Sequence, residues 1–185
     1  METTPSAADR YSRGAVILHW LIAVLIGLNF MGAWVAEGMP KAEAAQVMAN
    51  HKANGITILL LTLVRIGWRF VRPTPPMVET LKAWEVALAR VTHTLFYFLM
   101  LAIPLAGWGM HSAASGGKPV SVWGLFSMPA LPVGHDKPTI GVFHEAHEIT
   151  ATLLFLLFFL HVGAALKHQL FDKDGTMRRM WPWMK

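Results

Sequence analysis

The chain has 185 residues, 54% of them hydrophobic and only 15% charged, with a mean hydropathy of +0.42. That composition excludes an ordinary soluble domain and describes an integral membrane protein. The net charge of +5 does not point to nucleic acid, because the bases flank apolar segments, and the lack of cysteine excludes disulfides, thiolate-held iron–sulfur clusters and covalently attached c-type haem.

The length allows four spans, since about 20 apolar residues cross a hydrocarbon core of about 30 Å. After a short polar start, Arg10 and Arg13 precede an apolar run over 15–36. It is too long for the core of a typical signal peptide and is followed by no clear small-residue cleavage site. It is read as the first span, with His19 and Trp20 just inside it. Residues 37–50 form a polar connection whose KAEAAQVMAN portion can make a surface helix. The second span covers 51–71, interrupted by Arg65 and Arg69, and stops before the proline cluster at 73–76, which cannot continue a helix. Residues 79–90 suit an interfacial lead-in to a third span over 91–110, with His93 at its start and Pro104 as a kink. The connection 111–142 is rich in Gly and Pro and long enough to be functional; His111 and His135 within it are expected to be solvated. A fourth span covers 144–168, and the tail after it has the Arg, Trp and Met residues of a segment lying on the membrane surface. Its DKDG begins like a calcium loop but lacks the later ligands.

Twelve of the sixteen Lys and Arg residues fall at the two termini and between the second and third spans, while Lys41, Lys52, Lys118 and Lys137 fall on the other side. The excess of bases marks the cytoplasmic side, so both termini are expected there. Alternating spans then give each histidine a depth. His19 and His161 share the inner level, and His51 and His147 share the outer one. His147 and His161 are fourteen residues apart, which leaves them about 40° out of phase on one helical face and about 21 Å apart along the axis. Two histidine pairs result, both anchored on the fourth span.

Polar residues inside a membrane usually face a partner or a cavity, and structural histidines bonded to neighbouring helices are one reading. Bis-imidazole ligation of haem explains the paired arrangement with few further assumptions. Zinc wants about four compact ligands, and no tight carboxylate-rich cluster is expected at the inner end of the fourth span. The fold expected is therefore all-α, an integral membrane four-helix bundle binding two b-type haems. Gly55, one turn from His51, leaves room for a flat macrocycle. Arg69 returns to the face of His51 at the inner end, where it can pair with a haem carboxylate, whereas for Arg65 and Arg72 snorkelling to the inner surface is at least as good a reading. His144 rivals His147 but is turned about 100° from His161, and His93 rivals the inner ligands or serves as a hydrogen-bonding neighbour.

The layout of Tyr11-Ser12-Arg13 before His19-Trp20-Leu21, His51 with Gly55, the run from Arg65 to Arg72 closing on Pro73-Thr74-Pro75-Pro76, and His147-Glu148 with His161 resembles the bacterial cytochrome b561 family. The likeness is nearest to its small four-helix superoxide:ubiquinone oxidoreductases, and weakest over 37–49 and 111–142. It implies two haem b groups per chain in a bacterial inner membrane, with His19/His161 and His51/His147 as axial ligand pairs. It also implies electron transfer from superoxide, or another small periplasmic donor, to ubiquinone. His168 is implied near the quinone. Lying seven residues beyond His161 on nearly the same face, it can serve as a proton donor. Lys137, with His135 and His144 if protonated, can steer a small anion to the outer end. The same histidines also suit a membrane cytochrome subunit that passes electrons between a periplasmic dehydrogenase, as a redox protein partner, and the quinone pool. A haem-free transporter or structural bundle would be colourless.

Overall fold

A computed structural model of the chain describes residues 10–181; the polar stretch before Arg10 and the tail beyond Trp181 lie outside the described residues. Four helices long and apolar enough to cross a membrane form an up-and-down bundle: α1 (Arg13–Glu37), α2 (Lys41–Val71), α3 (Ala83–Ala114) and α4 (Lys137–Lys167). A hairpin of two short strands, β1 (Val120–Val122) and β2 (Phe126–Met128), precedes α4. The hairpin marks one end of the bundle. The other, called the terminal end here, holds the start of α1 and the end of α4.

Each helix is longer than its apolar run. α2 starts ten residues before His51 because KAEAAQVMAN contains no breaker, so the polar connection read from composition continues the span as helix. α3 likewise absorbs the lead-in from Ala83 and runs past His111. Hydropathy marks where the surroundings are apolar; caps mark where the helical backbone begins. Ser12 Oγ accepts from Ala15 N at 3.4 Å to open α1, and Glu85 Oε2 accepts from Lys82 N at 2.9 Å to open α3. At α4, Asp136 Oδ1 accepts from Thr139 N at 2.9 Å, with Pro138 in the first turn, where its missing N–H costs nothing. Those bonds from Thr139 hold the Asp136 carboxyl below its ordinary range.

The buried core is thin: Ile22, Ile58 and Met100 meet at its centre, while Trp34, Phe70 and Leu160 face outward, as expected where lipid is the surrounding medium. Some polar groups inside are bonded across helices, whereas the fully buried Thr62 Oγ1 has no partner among the described residues. Asn54 Nδ2 donates to Leu25 O at 2.8 Å and to Asn29 Oδ1 at 3.1 Å, tying α2 to α1. α3 and α4 approach closely at Gly109, where an added Cβ would overlap the Phe143 ring.

The hairpin packs Val120 and Val122 onto Ile56 of α2. Its turn places Trp123 at φ 54° and Gly124 at φ 72°. A left-handed tryptophan is costly, and its indole Nε1 donates to Thr57 Oγ1 at 2.9 Å, which pins the turn to α2. Beyond α4 the helix widens into a π turn over His168–Asp172. Left-handed Lys173 and Gly175 then turn the chain back. Trp20 Nε1 donates to Met180 O at 2.7 Å, and the Arg179 guanidinium donates to Pro76 O. The tail therefore lies across the terminal end of the bundle.

Candidate functional site

Four of the histidines stand in two facing pairs. At the hairpin end, His51 of α2 and His147 of α4 have ring centres 6.1 Å apart, with planes at 70°. At the terminal end, His19 of α1 and His161 of α4 are 6.2 Å apart, also at 70°. Two imidazoles bonded to one metal at about 2.0 Å each, with about 1.1 Å from nitrogen to ring centre, would stand about 6.2 Å apart. Both pairs therefore fit a bis-imidazole haem.

The two pairs differ in what holds them. His147 Nδ1 lies 2.9 Å from Ile103 O, and His51 Nδ1 lies 3.2 Å from Asn29 O. A carbonyl can only accept, so each Nδ1 must carry hydrogen, leaving Nε2 with its lone pair free for a metal. Gly107 makes this possible on α3, since a Cβ there would sit 3.0 Å from His147 Cε1 and 3.1 Å from its Nδ1. Gly55 faces α1, with Asn29 Nδ2 3.9 Å from the position of an added Cβ.

At the terminal end, neither His19 nor His161 donates to a protein acceptor among the described residues. These rings instead line a cavity of about 370 Å³ together with His93, Arg65, Arg69 and Tyr97, within the usual range for cofactor sites. His93 stands 5.9 Å from His161 centre to centre. It thus joins the inner site, as the sequence allowed. Arg65 Nη1 donates to Ala15 O at 2.6 Å, and the Arg69 guanidinium lies 5.7 Å over the Tyr97 ring. Arg65, Arg69 and Arg72 all line this cavity at the end of α2, and Arg72 is also exposed there.

Other histidines fall elsewhere. His144 is exposed, 3.7 Å from Glu148 Oε2, and does not join the outer pair. His135 is exposed in the connection, with Nδ1 3.3 Å from Ala113 O. His111, expected to be a solvated loop residue, lies half-buried in the last turn of α3. The helix outruns the apolar stretch there.

His168 lies beside the terminal-end cavity, not among the residues that line it. Its Nδ1 is 2.7 Å from Asp174 Oδ2 and 2.9 Å from Asp172 Oδ2. Lys167 Nζ bridges Glu85 Oε1 at 2.8 Å and Asp172 Oδ2 at 2.6 Å. The sequence reading expected no carboxylate cluster at this end of α4, and the structure has one, with ligand atoms of Glu85, His168 and Asp172 within 4.8 Å of one another. It escaped notice because Glu85 comes from the start of α3 and the aspartates come from a tail that turns back. The Lys167 ammonium already occupies its middle. Burial favours the neutral form of Asp174, but hydrogen bonds from Thr176 and the neighbouring His168 outweigh it and hold that carboxyl below its ordinary range.

Sequence reasoning also missed the carbonyls of Asn29 and Ile103, which carry no residue signal. Gly107 had one, in the AGWG run a turn after Pro104.

A family model described as prokaryotic cytochrome b561 matches residues 10–183. Among curated relatives, cytochrome b561 homolog 2 of Escherichia coli is 30% identical over 176 residues, covering 93% of this chain and 91% of the relative. The probable superoxide oxidase CybB of Yersinia pestis is 29% identical over 174 residues, covering 94% and 96%. Cytochrome b562 of Cereibacter sphaeroides is 29% identical over 179 residues, covering 92% and 94%.

Proposed function

The chain belongs to the prokaryotic cytochrome b561 family of haem b membrane electron-transfer proteins, and from that premise we propose that it binds two haem b groups and moves electrons from superoxide outside to ubiquinone inside. The observation that carries this reading is the matched spacing of the two imidazole pairs on α4, 6.1 and 6.2 Å. Bound haem would supply a one-electron store at each pair, held by His51 with His147 and by His19 with His161.

The positive-inside bias puts the termini in the cytoplasm, in a bacterial inner membrane, so the hairpin end faces the donor. Lys137 is exposed there at the start of α4, where it can draw in a small anion. Two superoxides, each oxidised to O2, yield the two electrons that a ubiquinone takes up, with two protons, on becoming ubiquinol. His168 is the proton donor proposed for that step. Carboxylates 2.7 and 2.9 Å from its Nδ1 can accept from that nitrogen and orient the ring. The name of the Yersinia relative supports superoxide as donor.

The test uses reconstituted protein. Two extractable haems per chain are expected, with rapid haem reduction by superoxide that slows as salt rises. His168→Ala should keep both haems and the donor step while slowing reoxidation by ubiquinone, and Lys137→Ala should slow reduction and flatten its salt dependence. One haem per chain contradicts the two-site reading. Indifference to superoxide, together with copurification of a periplasmic dehydrogenase, would favour the membrane-subunit reading instead.

A further inference from the structure

The two histidine pairs have nearly the same ring spacing and differ in their surroundings. At the hairpin end both Nδ1–H groups point at backbone carbonyls, Asn29 O at 3.2 Å and Ile103 O at 2.9 Å. A hydrogen bond from the remote nitrogen pushes electron density through the ring to the ligating nitrogen and makes the imidazole a stronger donor. Stronger donors favour the ferric ion over the ferrous one. Because Asn54 ties α2 to Leu25 O and Asn29 Oδ1, and Gly107 lets His147 sit against α3, these bonds are fixed by helix packing.

At the terminal end, His19 and His161 have no such acceptor among the described residues. The residues that line the cavity include four arginines, Arg65, Arg69, Arg72 and Arg179, and no Asp or Glu. The two carboxylates of a haem would neutralise two of the four. The surplus positive charge, screened in part because Arg69 and Arg72 are exposed, favours the ferrous state, which carries one positive charge fewer.

We propose that the protein builds a potential step into its own scaffold: the His51/His147 site is the weaker oxidant and the His19/His161 site the stronger, so that electrons fall inward from the hairpin end to the terminal end. The cause is the pair of backbone carbonyls at one site and the unneutralised guanidiniums at the other. The proposal rests on the two-haem reading above.

The test is a spectroscopic redox titration of the purified holoprotein, beside its haem-to-chain ratio. Two components are expected, and the component lost in His51→Ala should be the one of lower midpoint. Arg69→Gln provides an assignment that does not depend on removing a ligand. It should lower the midpoint of the higher-potential component alone, by up to about tenfold in its reduced-to-oxidised ratio at fixed ambient potential, or about 59 mV for one electron. If Arg69→Gln moves the lower-potential component or neither, or if His51→Ala removes the higher one, the proposed step is overturned. If His51→Ala binds no haem, the Arg69→Gln shift alone decides. A ratio near one haem per chain would instead overturn the two-haem reading itself, a separate outcome visible before any potential is compared.

Discussion

Asn54 shows how one side chain can serve both packing and chemistry. It is 5% exposed, one turn from His51, and its amide bonds reach the same stretch of α1 that supplies the acceptor for the His51 ring. Interhelical hydrogen bonds in membranes average about 0.6 kcal/mol and reach about 1.7. Asn54→Leu should therefore cost about 1 kcal/mol in a thermal melt and loosen the outer haem before the inner one, as read by haem retention. Asp174 offers a second test, on pH. Its carboxyl titrates below the ordinary value of 3.8 in the folded chain. Its contribution is therefore complete above that value and is lost as pH falls through the lower folded one. Protection of the tail amides, relative to their intrinsic exchange rates at each pH, should fall below about pH 4, and Asp174→Asn should show that reduced protection already at neutral pH. Residue identity made the histidine pairs readable, because their helical phase and depth follow from spacing alone. The charge cluster around Lys167 was not readable, since its members come from three segments that only the fold brings together.

Helices are the scale at which apolar runs and hydrogen-bonded length part company. The four apolar runs read from the sequence each fall within one long helix, yet α2 and α4 begin well before those runs because Pro40 and Asp136, not the first apolar residue, open them. The hairpin carried no usable signal. Its strands are three residues each, too short for alternation to register, and a left-handed Trp123 is no turn marker. What fixes it is the indole bond to Thr57 at 2.9 Å and the valines on Ile56. Thr57→Val should therefore make the connection more sensitive to limited proteolysis at the hairpin while haem content stays unchanged. Loss of haem in that variant would mean that the hairpin supports the outer site as well as covering α2.

In the whole molecule, the two ends of the bundle are closed differently: a hairpin packs on α2 at one, and the C-terminal tail crosses the other. That tail is held by Trp20 at Met180 O and by Arg179 at Pro76 O, and Thr176, Met177, Arg179 and Met180 complete the wall of the terminal-end cavity. Trp20→Phe keeps the ring and removes the donor. It should speed transfer of the inner haem to an excess haem-scavenging protein several-fold and leave the outer haem in place; equal rates for both would show that the tail does not guard the cavity. There is a consequence in time. The tail follows α4 in the chain, so His19 and His161 can face each other once α4 has docked, while their cavity stays unsealed until the tail has crossed it. Loading of that site would have its widest opening before the tail docks, and a chain that folds its tail before meeting haem would close the door on itself.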